Sequence, residues 1–575
     1  MSAHFIYLKK LSDLWSKFFG PEGEGPGALC VFIFSWVLLM CLYWPARKAG
    51  FVTDFTGWLD QVRNHGFWDF INRTNFQAKS WYQLTQFNTW SFYKVFGVHA
   101  IAWHLLFVTL HATNAWLLYM LCRGLLNDSG VKNGGAIAAV GVLFFCVTPY
   151  ISEVIVWEPA FHFLQGLLLL LAALVLVQRS LQTGSKRYAF FASLAYLLSL
   201  FSLEIFYITP WLVLSMGFFY QNDRKAGQVN LKLVLKYFFT PMLILFVLRM
   251  AGYRIAYGDW VSRIGSGSVS AVQPDWFGKP AKYLFHLLLM GRFWSEDLRH
   301  TVYDFCDSKA GLILFYGVVV GFLAWIFSAF GRMSGKARVA SLLYLWMMMA
   351  LLLLVPLWFA TDLLVVYDRY TYFAGAYFYM LVAVLGSMIA MRWIRLGLLG
   401  VFLAVNVRYN VKVVRYWSKS YRIVNSLLLN LPDDRSKTML LFNLPQNLHG
   451  IPMIGAEKNS EFKLMHDLLI PDKLLTNTVY DVMAYNMLTP QDGAHVEVIN
   501  DSMIKVTLNQ WGTWWWMETR GGYSYWTSDY KLDLKDPGHW YELTLRKPAD
   551  QYILLYNVGE EWRRVEIPPA TKVKH

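Results

Sequence analysis

Two neighbouring stretches, FVTDFTGWLDQVRNHGFWDF (residues 51–70) and YQLTQFNTWSFYKVFGVHAIAWHLLFVTLH (residues 82–111), decide how this chain folds. The first follows the apolar run ALCVFIFSWVLLMCLYW (28–44) and delivers Asp54 to the mouth of what reads as a membrane span. The second ends in an apolar helix carrying His99, His104 and His111. Between the spans lies an aromatic-rich loop of roughly fifty residues, far longer than an ordinary connection. A carboxylate at that depth is costly unless it is used.

Outward from this stretch the composition agrees. The chain is 56% hydrophobic and 16% charged, against about 25% charged in soluble domains, and its mean hydropathy is +0.34. Spans need about twenty apolar residues. Runs of that kind fall near 29–47, 99–121, 134–150, 160–178, 188–203, 205–220, 233–252, 309–330, 339–360, 370–391 and 394–409. The expected fold is an all-α polytopic membrane bundle of about eleven spans. The net charge of +14 is scattered in short basic runs between these segments, which excludes nucleic acid as the natural partner and marks orientation instead. The basic clusters at Lys9–Lys17, Arg123–Lys132, Arg179–Arg187, Arg224–Lys236, Arg332–Arg338 and Arg392–Arg395 all fall on the N-terminal side, making it cytoplasmic. Residues 1–28 read as a basic amphipathic N-terminus, and the run after them, lacking a small-residue cleavage motif, reads as an anchor. Five cysteines form no CxxC pair or disulfide framework.

The opposite side receives the loop at 50–98, the turn at 151–159, Glu204, the long segment 253–308 and the turn at 361–369. These hold carboxylates that include Asp259, Asp275, Glu296, Asp297, Asp362 and Asp368, and ordinary solvated loop acids account for many of the set. Glu153, Glu204 and Asp368 lie within a few residues of lipid-depth sequence, where that account is weak. From residue 411 onward the pattern changes. RYNVKVVRYWSKSYRIVNSLLLNLP (408–432) reads as one or two short amphipathic helices. Period-two runs with turns at Arg520-Gly521-Gly522 and Asp536-Pro537-Gly538 then predict a β-rich extracytoplasmic domain over 411–575.

Three motifs bring a family into view. Tyr82, Leu84 and Thr85, followed by His111, Asn114, Leu117, Leu118 and Tyr119, resemble a Tyr-Arg-Pro-Leu-Thr stretch and a Phe-His-x-x-Asn-x-Leu-Leu-Tyr helix, with His104 as an alternative register. Pro149 to Trp157 resembles a Pro-x-x-x-Glu-x-Val-x-Trp turn centred on Glu153. Asp368-Arg369-Tyr370-Thr371-Tyr372 resembles Glu-Arg-Tyr-x-Tyr. These are patterns of GT-C class membrane glycosyltransferases, in the branch of the transmembrane O-mannosyltransferases and aminoarabinose transferases. The likeness covers about residues 29–410. Gln83 stands where the family has Arg, and no TPR array follows.

The resemblance implies sugar transfer from a polyprenyl-phosphate donor to a lipid, glycan or protein acceptor on the extracytoplasmic face, in a bacterial inner membrane. It makes Asp54 the base toward the acceptor and gives Glu153 the task of orienting that acceptor or helping to hold a divalent cation. Arg369 is the first choice for the carrier phosphate, since its planar fork suits that group; Arg254, Arg263, Arg292 and Arg299 are secondary. Asp368, Tyr370, Tyr82, His104, His111, Glu158 and His162 complete the expected substrate-binding set.

Plainer readings stand beside these. Asp54 and Asp60 serve equally as helix caps, and Arg369 with Tyr367 and Tyr370 as an interfacial anchor. The histidines read better as polar groups satisfied within a bundle than as metal ligands, because their spacing is not the i,i+4 zinc pattern. The cluster Trp511, Trp514, Trp515, Trp516, Tyr523, Tyr525 and Trp526 reads as a β core or headgroup layer before a carbohydrate platform. Rival functions are an oligosaccharide ligase or polymerase using a pyrophosphate-linked donor, and a membrane transporter, for which repeated broken helices are missing.

Overall fold

A computed structural model describes residues 26–78, 81–222, 231–258, 260, 274–355, 368–432, 436–454, 461–508, 513–514, 524–536 and 540–567. The basic N-terminal segment (residues 1–25), Asp259, Arg263, Asp362, Tyr367 and most of the tryptophan cluster, including Trp511, Trp515, Trp516 and Tyr523, lie outside the described residues; so do the side chains of Asp275 and Glu296.

The chain is mostly helical, with a β-rich C-terminal region. Among the described residues eight helices are long and apolar enough to cross a membrane: Ala28–Ala46, Ala100–Asp128, Glu158–Thr183, Leu231–Tyr257, Lys309–Arg332, Gly335–Leu352, Asp368–Met388 and Arg392–Leu429. A ninth is the pair Gly134–Val147 and Pro149–Val156, bent by 60°. The expectation of about eleven differs at Glu204. There Lys186–Ser199 and Thr209–Asn222 are helices of 14 residues each, about 21 Å long against a hydrocarbon core of about 30 Å. Both still run between the two ends of the bundle. At one end Asp128 accepts hydrogen bonds from Gln182 (2.7 Å) and Tyr220. At the other, Ser202 Oγ accepts from Gln165 Nε2 at 2.7 Å and Glu204 from Tyr82.

Proline explains the bend that matters most. Pro149 has no N–H to continue the helix, and it holds Thr148 in extended backbone (φ −66°, ψ 142°). The Thr148 carbonyl freed by the break accepts from Asn410 Nδ2 at 2.8 Å, and the same amide reaches Tyr43 Oη at 2.8 Å. The buried five-residue helix Ser152–Val156 is thereby turned across the end of the bundle, carrying Glu153.

The last helix runs through the expected boundary near residue 410. Arg392–Leu429 is one helix of 38 residues, about 57 Å at 1.5 Å per residue. After Gly400 no Gly or Pro interrupts it before Pro432, so nothing breaks it where the apolar run ends and the amphipathic one begins. It runs from the bundle into the C-terminal region, whose buried side chains include Ile423, Val424 and Leu427 of this helix. Its described residues hold three sheets. In one, Tyr552–Val558, Thr438–Leu441 and Val479–Asp481 run parallel, with Glu561–Arg564 antiparallel on the edge. The five-stranded antiparallel sheet shows the anticipated alternation: Ile504, Leu543 and Leu532 stand opposite one another and are buried. Its strands Tyr530–Asp536 and Trp540–Leu545 pair across the Asp536-Pro537-Gly538 signal.

Candidate active site

The three sequence motifs meet at the end of the bundle covered by the C-terminal region. Phe51 and Val52 are buried, and Thr53 holds a positive φ of 48° before Asp54 opens the helix Asp54–Asn64. A β-branched residue in so sparsely populated a backbone region is strained by about 1–3 kcal/mol, and packing fixes it. Trp157 Nε1 donates to the Val52 carbonyl at 3.2 Å, while the buried Glu158 carboxylate presses against Gly50. Asp54 itself is exposed. A cavity of about 330 Å³ lies beside the same segment, between Phe51, Val52, His99, Ile101, Tyr421 and Leu469.

Glu153 and Arg369 form one unit. The Arg369 backbone N–H donates to Glu153 Oε2 at 2.7 Å, and its guanidinium pairs with Oε1. Glu153 is 5% and Arg369 13% exposed, so the pair is largely out of water. The guanidinium also lies over Trp157 (5.0 Å) and Tyr370 (5.1 Å). Asp368, fully buried, pairs with Arg292 from the segment between the helices Lys279–Leu289 and Glu296–Asp307. Adjacent residues of the Asp368-Arg369 motif thus take opposite partners from two other parts of the chain. Burial lowers Arg292 to about 10, with Glu153 resisting the shift. Its Nη2 donates to the His449 carbonyl at 2.7 Å, which joins the C-terminal region to the site.

Tyr82 donates to Glu204 Oε2 at 2.6 Å and stacks on His162 at 6.2 Å between ring centroids. Burial, reinforced by the Glu204 charge, raises Tyr82 well above the usual tyrosine range. His111 and Asn114 lie deeper, both bonded to Tyr372 Oη (2.8 and 3.0 Å), with Asn114 also reaching the Leu164 carbonyl. This is the plainer bundle-interior arrangement. His104 is buried on the same helix, beside neither Glu153 nor Arg369 in any hydrogen bond. Among the described residues no group of three His, Cys, Asp or Glu side chains is arranged to hold a metal ion, and all five cysteines are free.

Sequence reasoning passed over Arg249. It is buried within Leu231–Tyr257, lies 4.4 Å over Trp81 and donates to the Trp81 carbonyl at 3.3 Å. The signal was available: an arginine inside the apolar run FVLRMAGY is itself a functional flag.

No family model matches this sequence, and no curated protein matches it. Among solved structures, the Archaeoglobus fulgidus oligosaccharyltransferase in its apo form aligns with 72% of this chain and 62% of its own at 13% identity and a TM-score of 0.37. The archaeal oligosaccharyltransferase AglB from Archaeoglobus fulgidus, in complex with an inhibitory peptide and a dolichol-phosphate, aligns with 79% and 64% at 11% identity and a TM-score of 0.32. This chain spans less than two thirds of the length of either.

Proposed function

We propose that this protein is a GT-C type membrane glycosyltransferase that moves a sugar from a polyprenyl-phosphate carrier to a lipid, glycan or protein acceptor on the extracytoplasmic face. The observation that carries the reading is the joining of Glu153 to Arg369, two motif residues 216 positions apart, at the same end as the strained segment before Asp54. In this reading Asp54, which is exposed, takes the proton of the acceptor hydroxyl. The acceptor oxygen bonds to the sugar's anomeric carbon as the bond to the phosphate oxygen breaks, and polyprenyl phosphate leaves with the electron pair. The exposed carboxylate acts as the base, while Glu153 holds Arg369 in place for the donor. Tyr82, Glu158, His162 and Tyr370 shape the acceptor side, and a divalent cation, if used, would need ligands from substrate as well as protein. The N-terminus is cytoplasmic and the C-terminal region extracytoplasmic in a bacterial inner membrane.

The test uses full-length protein in lipid nanodiscs, a panel of polyprenyl-phosphate sugars and total membrane extract as acceptor. Mass spectrometry follows donor loss and free polyprenyl phosphate. Turnover by wild type and its loss in Asp54→Asn is the expected result. Equal turnover in both removes Asp54 from the chemistry, and no turnover with any donor refutes the reading.

A further inference from the structure

A recess of about 360 Å³ lies between the helices Thr209–Asn222, Lys309–Arg332 and Gly335–Leu352. Trp211, Leu214, Phe218, Phe327, Leu345 and Met349 are among its lining residues. Neighbouring contacts place it toward the end of the bundle away from the candidate active site. Phe219, also in the lining, precedes Tyr220, which donates to Asp128, and Gly335 lies against the Ser129 carbonyl. Lys336 Nζ donates at 2.8 Å to the Ser387 carbonyl, at the opposite end of the helix that starts beside Arg369.

The wall is apolar. Its two serines are engaged: Ser215 Oγ donates to the Leu212 carbonyl at 2.7 Å and accepts from Trp346 Nε1 at 2.8 Å, and Ser341 Oγ donates to the Met333 sulfur at 3.4 Å. Such a wall offers water little to bond to, and leaving the space empty forfeits dispersion contacts. Trp211 and Phe327 are 47% and 56% exposed, so the recess opens onto the lipid-facing surface, where Leu314, Val318 and Trp325 are exposed as well. Along the helix axis, Trp211 to Phe219 spans about 12 Å, close to the half-thickness of the hydrocarbon core, about 15 Å.

Charge marks the Asp128 end of this recess. The stretch FGRMSGKAR (330–338) carries three basic residues and no acid. Its Phe330 lines the recess, and Arg332, exposed, ends the same short helix. Across the recess the exposed Lys232 follows Leu231, another lining residue. Basic groups at the mouth of an apolar gap between spans are how membrane proteins hold anionic lipid headgroups.

We infer that the recess holds one acyl chain of an anionic glycerophospholipid, whose phosphate meets Arg332 and Lys232. The lipid belongs to the leaflet farther from Glu153 and Arg369, and its chain ties the helix Lys309–Arg332 to the bundle. A helix of a second copy, about 10 Å across, is too wide for the space, and a polyprenyl carrier would set its phosphate at the wrong end for the pair Glu153–Arg369. The inference rests on the membrane character of the chain and not on the reaction.

The experiment is native mass spectrometry of delipidated full-length protein in neutral detergent, titrated with dioleoyl phosphatidylglycerol, dioleoyl phosphatidylcholine and farnesyl phosphate. Wild type is expected to keep one phosphatidylglycerol at least about tenfold better than phosphatidylcholine, and Arg332→Gln and Lys232→Gln each to remove about fivefold of that preference. Leu345→Trp, which fills the recess, should abolish retention of both phospholipids. Lys309→Gln, at the other end of the same helix, should change nothing. If Leu345→Trp misfolds, the two exposed cations still decide the matter. Equal retention of the two phospholipids by wild type overturns the inference, as does unaltered phosphatidylglycerol binding in folded Leu345→Trp or in both cation variants. Stoichiometric displacement of phosphatidylglycerol by farnesyl phosphate would assign the recess to an isoprenoid, and a lipid-free dimer would assign it to a second copy; either overturns the phospholipid.

Discussion

Replacing Arg369 by methionine tests the central pair most directly. The substitution keeps much of the side chain's volume but strands Glu153, 5% exposed, without the guanidinium that pairs with its Oε1. The Arg369 backbone N–H still donates to Oε2, so one contact of the carboxylate survives. Removing one partner of a buried pair costs about 3–5 kcal/mol, because the remaining charge is left uncompensated. The loss of contacts over Trp157 and Tyr370 adds about 0.5–2 kcal/mol. Adding Glu153→Gln removes the stranded charge, so the double variant should be more stable than Arg369→Met alone while transfer stays abolished. Equilibrium SDS unfolding in mixed micelles across the four-protein cycle measures this coupling. Strictly additive losses, or an Arg369→Met protein as stable as wild type, would refute the claim that the two groups act as one buried unit.

Other perturbations probe neighbouring parts. In Gly50→Ala the new Cβ would overlap both Glu158 carboxylate oxygens and the Val156 carbonyl; since the last is backbone, we expect a loss of about 1–3 kcal/mol with reduced transfer, checked by SDS unfolding and donor turnover. Tyr82→Phe removes the hydroxyl that donates to Glu204 and should cost about 1.5–3 kcal/mol, as a hydrogen bond to a charged group does, with an unchanged midpoint counting against the contact. The two buried histidines set a pH dependence. Folded His449 and His286 protonate only near 4 and 3, against an ordinary 6.5, so between these values the unfolded chain binds more protons. Stability is therefore complete above about 6.5 and falls as pH drops toward 4, by up to about 1.4 kcal/mol per pH unit for each histidine. His449→Gln should flatten part of that slope in an unfolding series from pH 7.5 to 4.5.

The sequence alone determined the membrane character, most of the long helices and the β-rich end, because twenty-residue apolar runs and period-two alternation are local properties. It also singled out Asp54, Glu153, Glu204 and the Asp368-Arg369 motif, since charge beside lipid-depth sequence is conspicuous in one dimension. It did not show where the last helix ends, as a missing Gly or Pro is a weaker signal than a change of polarity.

Only the tertiary structure decided who pairs with whom. Glu153 meets Arg369, Asp368 meets Arg292 and Tyr82 meets Glu204 across separations that no periodicity encodes. His111 and Asn114 turn inward to Tyr372 because helix rotation, set by packing, chooses the face a polar group presents. The bond from Arg292 to the His449 carbonyl likewise exists only once the bundle, the outer segment and the C-terminal region have come together.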